Sequence, residues 1–367
     1  MFSIENQTQL SILKEIWINN VFTRTHIKEK LNINKSTVTR NFDSMINQNI
    51  FFEEGIKAPG ETGGRKTQIF MLNKDLVYFV SMAVINGKIL AILENMCGEK
   101  IYTLESEFVL ECEENLINEI INTIKCIKEK YEDKFDKVLS INIAVPGIVD
   151  SDMGIIKYSS DLDVKNLNIK KIIEDEFETY CMIENDANAA AASSLFKSKF
   201  TYNNLLYFLF FLPGNLLSLG GIGAGIVIKN EIYKGNYSAA GEVRVKNYWM
   251  LSKNSEIDNF QLETADESIL ENDDDIKNYI NNFSERIAGV IHFMDPKKVI
   301  LGGDIKYFSD YMREYTVKKI ESFYSSGQGK NFIEIDYSGL EAVANGSTVS
   351  FLINLMNDMD FCKNVLG

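Results

Sequence analysis

The sequence predicts an α/β chain: a small winged helix-turn-helix head followed by a larger body of two α/β halves. Three observations carry this. Residues 1–75 hold three stretches of helical apolar period, then two strand-like runs around a Gly-rich basic stretch. Beyond residue 76, β-branched apolar runs alternate with amphipathic helical runs up to the C-terminus, the pattern of an α/β architecture. At 367 residues the chain is too long for one ordinary core, since domains hold about 100–200 residues.

Residues 9–20 read as an amphipathic helix because Leu10, Leu13, Ile16 and Trp17 share one face. Thr25 is placed to cap a short second helix with Ile27 and Leu31 inward. After the tight link Asn32–Ile33–Asn34, Asn34 can cap a third helix in which Val38, Phe42, Met45 and Ile46 keep the apolar period. Its outward face is read as Lys35, Ser36, Thr37, Thr39, Arg40 and Asn41. Basic and hydrogen-bonding residues at the start of a recognition helix meet base edges and phosphates in the major groove. Strand-like runs at Ile50–Glu54 and Thr67–Leu72 flank the basic tip from Lys57 to Lys66. They form a wing whose Arg65 and Lys66 can reach phosphate or the minor groove. The candidate DNA contacts are therefore Lys35, Ser36, Thr37, Thr39, Arg40, Arg65 and Lys66. The plainer reading is a three-helix protein-interaction module; the basic wing weighs against it.

In the body, Tyr78–Val84 and Ile89–Glu94 read as a hairpin turned at Asn86-Gly87. A helix spans Glu113–Tyr131, with Leu116, Ile120, Ile121, Ile124 and Ile127 in period. Val138–Val145 reads as a buried strand ending at Pro146-Gly147. Then come a helix at Lys170–Phe177, a strand at Tyr180–Glu184 and a small-residue helix at Ala187–Leu195. The second half opens with a strand at Leu205–Leu212 and a hairpin from Ile222–Ile228 to Glu231–Lys234. A long helix at Asn278–Met294, a strand at Lys298–Leu301, a helix at Ser309–Tyr324 and a final helix at Ala342–Met356 complete it. Two such halves facing each other make a ligand cleft at their strand ends.

With 45% apolar and 25% charged residues, the composition excludes a disordered or collagenous chain. No run reaches the ~18 apolar residues of a membrane span, and the N-terminus lacks a secretory pattern, so a soluble cytoplasmic protein is expected. Five cysteines without a CxxC spacing suggest buried free thiols. His26 and His292 are the only histidines, which argues against a His or Cys metal site. The net charge is −14, but residues 1–75 carry +2 and the remaining 292 carry −16. That split is a cue for a small binding head on an acidic body.

Several segments, in chain order, resemble the ROK family of sugar kinases and sugar-responsive repressors. Thr62-Gly63-Gly64-Arg65-Lys66 with Leu72-Asn73 looks like the wing-to-body junction of its repressors. Val145-Pro146-Gly147-Ile148-Val149-Asp150 followed by Gly154, and Glu184-Asn185-Asp186-Ala187-Asn188-Ala189-Ala190, are similar to its PGxVD and ENDANAA segments. So is the block from Gly221 to Val227 with Tyr233, Gly235, Ala240, Gly241 and Glu242, and so is Val299-Ile300-Leu301-Gly302-Gly303. The resemblance covers essentially the whole chain. It implies a two-lobed, actin-like, ribonuclease H-like sugar-kinase fold behind the head. The domains implied are 1–75, the head; 76–190 with 342–367, the first lobe; and 191–341, a second lobe for effector binding and dimerisation.

The resemblance also implies site residues. Asp186 falls at the position of the kinase base, vestigial here, and Asn185, Glu242 and Asp161 are implied sugar contacts. From local sequence alone Asp186 reads equally well as a helix N-cap. Gly221, Gly223 and Gly225 allow close approach of a phosphate or simply make a tight turn. Gly302-Gly303 in a repressor is a strand-to-helix turn.

Departures from the family pattern separate its branches. The Asp of the kinases' phosphate hairpin is replaced at Ala83, and the Gly-Gly-Thr run after it is gone. The metal-binding His expected just after Glu242 is absent, and residues 246–275 hold no Cys. No zinc or ATP is therefore expected, and no catalytic residue. The expected function is a sugar-responsive transcription factor, most simply a repressor, with operator DNA, a carbohydrate effector and a second copy of itself as partners. Alternatives are an active sugar kinase with an accessory head, and a DNA-binding protein whose body only dimerises.

Overall fold

In a computed structural model the chain is described over residues 2–57, 67–85, 87–210, 222–242, 274–323 and 332–366. The head opens with α1 (Gln7–Asn19), capped by the Asn6 side chain, which accepts from the Gln9 N–H. Two residues, β1 (Val21–Phe22), lead into α2 (Arg24–Leu31). The cap of α2 is Thr23, two positions before the expected Thr25: its hydroxyl accepts from the His26 N–H. Asn34 caps α3 (Lys35–Asn47) as expected, accepting from the Thr37 N–H at 2.8 Å.

The wing strands β2 (Phe51–Lys57) and β3 (Thr67–Leu72) pair antiparallel, and β1 adds to β3 on its other edge. Phe22, Phe42, Phe51 and Phe70 meet mostly edge-to-face with centroids 4.9–6.0 Å apart, the arrangement aromatic quadrupoles favour. The Arg24 guanidinium covers two of these rings.

The first body sheet is built from β4 (Tyr78–Ile85), β5 (Lys88–Asn95), β6 (Lys100–Glu107), β7 (Val138–Val145) and β11 (Tyr180–Asn185). Between its strands run α4 (Glu113–Lys130), the short α5 (Glu132–Phe135) and α6 (Ile169–Phe177). A small sheet of β8 (Ile148–Asp150), β9 (Ile155–Ser159) and β10 (Val164–Leu167) lies after the Pro146-Gly147 break.

Next follow α7 (Asp186–Lys197), β12 (Asn204–Phe210), β13 (Ile222–Ile228), β14 (Glu231–Ile232) and α8 (Asp274–Met294). The chain ends with β15 (Lys298–Gly303), α9 (Asp310–Ser322), β16 (Ile333–Ile335), α10 (Leu340–Asn357) and α11 (Met359–Leu366). Gly303 turns β15 into a 3₁₀ segment at Asp304–Tyr307, the strand-to-helix turn expected there.

The two large sheets repeat one topology. In the order β6-β5-β4-β7-β11, the first two pairings are antiparallel and the last two parallel. In β14-β13-β12-β15-β16 the same sequence of pairings recurs. The body is thus two ribonuclease H-like halves. Helix α10 packs on β4 and β7, α7 packs on β12 and β13, and the two helices pack on each other. The order across the body is sheet, α10, α7, sheet.

Small residues set the spacing of that central layer. Ala187 and Ala189–Ala192 of α7 are fully buried, and α10 is buried on nearly all sides. A Cβ on Gly346 would stand 1.8 Å from the Ala189 carbonyl oxygen, so only glycine fits there. The head joins this layer. Trp17 stacks on Phe196 at 4.4 Å with planes 16° apart, and Phe200 meets its edge at 6.0 Å. Buried residues of the head, α7 and α10 form one contiguous apolar cluster.

Several elements differ from expectation. Strands β1, β6 and β8 to β10, which are short or lie at sheet edges, and the short helix α11 add to the elements expected from the sequence. Asn41, placed outward on α3, is 2% exposed: it donates to the Thr37 carbonyl and accepts from Asn6. Of the cysteines, Cys181 and Cys362 are buried, but Cys112 and Cys126 are exposed; all five are unpaired. Helix α7 runs unbroken through position 190, where the lobes were divided. Among the described residues no helix is long and apolar enough to cross a membrane.

Helix propensity alone favours alanine over glycine by about 1 kcal/mol. We expect the opposite for Gly346→Ala, a loss of about 1–3 kcal/mol from overpacking against the α7 backbone. A urea unfolding midpoint at or above wild type would refute this account of the α7–α10 contact.

Candidate functional site

The cleft is built where β11 runs into α7. Asn185 is the N-cap: its side-chain oxygen accepts from the Asn188 N–H at 3.0 Å. Its amide nitrogen donates to the Gly147 carbonyl at 3.0 Å, tying α7 to the Pro146-Gly147 break. The capping role considered for Asp186 thus belongs to its neighbour. Much of the hydrogen-bonding capacity expected to reach a sugar from Asn185 is committed within the protein.

Asp186 is the first residue of α7 and is 5% exposed. One carboxyl oxygen accepts from the Ala187 N–H at 2.7 Å. Burial pushes its carboxyl up to about 8; the Ala187 N–H opposes this, and the charges of Glu242 and Asp161 add to it. Three acidic side chains from separate segments therefore act on one another, and like charges in one cleft favour a retained proton. Asp161 and Glu242 are exposed, and Ser160 donates to the Asp161 carboxylate at 3.2 Å. Glu242 is held beside β13 by a bridge to Gly223. At neutral pH the neutral Asp186 carboxyl donates one hydrogen bond as well as accepting.

Gly223 and Gly225 do not make a turn. Both lie inside β13, and a Cβ on Gly225 would stand 2.2 Å from the Ala187 carbonyl oxygen. They let the sheet approach the first turn of α7. Gly221 lies outside the described residues.

Glu184, just before the cleft, went unread. It is buried, accepts from the Ser151 hydroxyl at 3.0 Å and from the Asn185 N–H at 2.9 Å, and pairs with Lys234 at 2.9 Å. Burial pulls the Lys234 ammonium down, but Glu184 more than offsets this and the net shift is upward. The pair joins β11 of one half to the segment after β14 of the other. No spacing rule links residues so far apart in sequence.

At the head, Lys35, Ser36, Thr39 and Arg40 are exposed on α3 and Thr37 is half-buried. Two of the hydroxyls are engaged locally: Ser36 donates to the Asn34 side chain at 2.7 Å, and Thr39 to the Lys35 carbonyl at 3.0 Å. Arg65 and Lys66 lie outside the described residues, as does most of the region where the family carries its zinc loop.

Residues 88–243 match the model of the ROK family. The chain is 29% identical over 238 residues to a xylose repressor of Caldicellulosiruptor bescii, a match spanning 64% of this chain and 57% of the repressor. The chain thus spans little more than half the length of that relative. A crystal structure of a ROK family transcriptional regulator, a homologue of the E. coli MLC protein, superposes with a TM-score of 0.75 at 16% identity, over 99% of this chain and 100% of that one. A ROK family glucokinase from Streptomyces griseus, in complex with glucose and AMPPNP, superposes with a TM-score of 0.58 at 16% identity, over 74% of this chain and 97% of the kinase. At these identities the likeness is one of fold: the body has the ROK sugar-kinase architecture, and the regulator's fold includes the head.

The proton on Asp186 has a stability consequence. The folded chain holds it up to about pH 8, whereas an unfolded Asp releases it near 3.8. The folded state therefore binds more protons between those values, and stability falls as pH rises from about 4 to 8. Asp186→Asn, which keeps the acceptor for Ala187, should melt above wild type at pH 8.5, with the gap closing towards pH 4. Each kcal/mol corresponds to about 2–4 °C. Parallel melting curves for the two proteins across this range would contradict the assignment.

Proposed function

We propose that the chain is a cytoplasmic, sugar-responsive DNA-binding repressor that acts as a homodimer or higher homo-oligomer. The single observation that carries the reading is the path of α7. Its N-terminus holds Asn185 and Asp186 in the cleft, and its C-terminal end holds Phe196 against Trp17 of the head. Twelve helical residues span about 18 Å, so one rigid element touches both sites. A carbohydrate bound by Asp161, Asn185, Asp186 and Glu242 shifts the body towards one arrangement, and α7 carries the difference to the head. On DNA, Lys35, Ser36, Thr37, Thr39 and Arg40 face the major groove and Arg65 and Lys66 follow the backbone.

Ala83 argues against kinase activity. It is fully buried within β4, paired with Leu90 and Ala144, and offers no carboxylate to hold magnesium against phosphate. No ATP and no zinc enter this reading, and Asp186 is an orienting group for the sugar. A coupled assay with ATP-Mg and common hexoses should read background; turnover near the ~1–100 s⁻¹ usual for kinases would overturn the regulator reading.

Two variants test the rest. Arg40→Ala should weaken operator binding by about 1–3 kcal/mol if the guanidinium reads a guanine. Phe196→Leu keeps apolar volume but removes a stack worth about 0.5–1.5 kcal/mol. It should leave operator affinity nearly intact and shift the sugar concentration for release by up to about tenfold. Wild-type operator binding by Arg40→Ala sinks the α3 assignment, and an unchanged sugar response in Phe196→Leu sinks the α7 route.

A further inference from the structure

A cavity of ≈ 600 Å³ lies on the face of β11 that carries Tyr180, Met182 and Glu184, closed by α10, α11 and the β13–β14 hairpin. None of Asp161, Asn185, Asp186 or Glu242 lines it. Its size is within the roughly 300–1,000 Å³ of small-molecule sites. Ser350 of α10 lines it, is 3% exposed, and its hydroxyl has no hydrogen-bond partner among the described residues. A buried hydroxyl left unpaired is costly, and a ligand hydroxyl in the cavity would satisfy it.

The rest of the lining selects the ligand's chemistry. Both lysines are already paired: Lys234 with Glu184 at 2.9 Å, and Lys170 beside the Tyr180 hydroxyl at 3.3 Å and Glu174 at 3.9 Å. The carboxylates of Asp152, Glu231 and Asp358 also face the space. That lining repels a phosphate or carboxylate. Asn354 and Asn364 present amides, and Tyr180 and Phe361 meet edge-to-face at 5.6 Å. Amides and carboxylates bind hydroxyls, and aromatic rings cover apolar C–H faces.

We propose that this cavity is a second ligand site, separate from the cleft, for an uncharged polyhydroxylated compound of one or two sugar rings. Its occupant would sit against the head's anchor. Asn357, on its wall, accepts from Lys14 of α1 at 2.5 Å, and the charge of Glu231 acts on the same lysine.

The test uses the full chain, calorimetry and saturation-transfer NMR, with xylose, glucose and sucrose as probes. Wild type is compared with Asp186→Asn/Glu242→Gln in the cleft, Asn354→Leu/Asn364→Leu in the cavity, and Asn364→Trp at its exposed rim. The rim variant keeps the test decisive if the double cavity variant fails to fold. At least one probe should still bind the cleft variant, and its affinity should fall at least about tenfold in a folded cavity or rim variant. The proposal is overturned if no probe binds the cleft variant, or if binding to the cavity and rim variants matches wild type. Binding lost only in the cleft variant leaves the effector reading standing while removing this second site.

Discussion

The close contact between α7 and α10 is the constraint on which the rest of the structure depends. Each helix lies on one of the two sheets, so the distance between the helices fixes the distance between the halves. That distance is set by backbone against backbone: Gly346 lies against the Ala189 carbonyl. On the other side of α7, Gly225 lies against the Ala187 carbonyl. The helix is thus held on both flanks by positions that tolerate no side chain. Interiors packed this tightly respond by discrete shifts rather than by smooth deformation.

The same packing explains the electrostatics of the cleft. The Ala-rich first turn draws Asp186 into an environment with little solvent, and Glu242 and Asp161 are brought near it from other segments. Burial is the main reason Asp186 keeps its proton, and the charges of Glu242 and Asp161 add to it. Glu94 under the first sheet is a second case. Burial pushes its carboxyl up to about 7, and hydrogen bonds from Ser81 and Thr348 oppose this. Asn142 donates to the same Thr348 at 3.0 Å, so α10 is tied to the first sheet by polar groups as well as by apolar packing.

Much of this was legible in the sequence. The helices of the head, both hairpins and most strands of the two sheets follow from periodicity, because each buries one face or both. The ordered glycine and acidic motifs pointed to the residues that meet in the cleft. What stayed hidden depends on long-range contact. Edge strands such as β6, which has no fully buried residue, carry only a weak apolar signal. The burial of Asn41 follows from a partner 35 residues away. The pairing of Glu184 with Lys234 and the near-contact at Gly346 belong to the tertiary fold. Trp17 was legible as an inward residue of α1, but what it packs against was not.

The way the head is fastened bears on whether the molecule can switch. Its own core is centred on four phenylalanines, which belong to the same apolar cluster as the buried residues of α7 and α10. To that shared packing the head adds the Trp17 stack on Phe196, its edge contact with Phe200, and the Lys14–Asn357 hydrogen bond. Beyond the area buried, an aromatic pair contributes about 0.5–1.5 kcal/mol and an exposed hydrogen bond about as much. Apart from the apolar area buried, these specific contacts are of the same order as the 1–3 kcal/mol typical of coupling between sites. A much stronger joint would hold the head in one arrangement whatever occupied the cleft, since a ligand shifts an equilibrium only by its difference in affinity for the two states. A much weaker one would let the head move without regard to α7. The joint sits at the end of the helix whose first residues form the cleft.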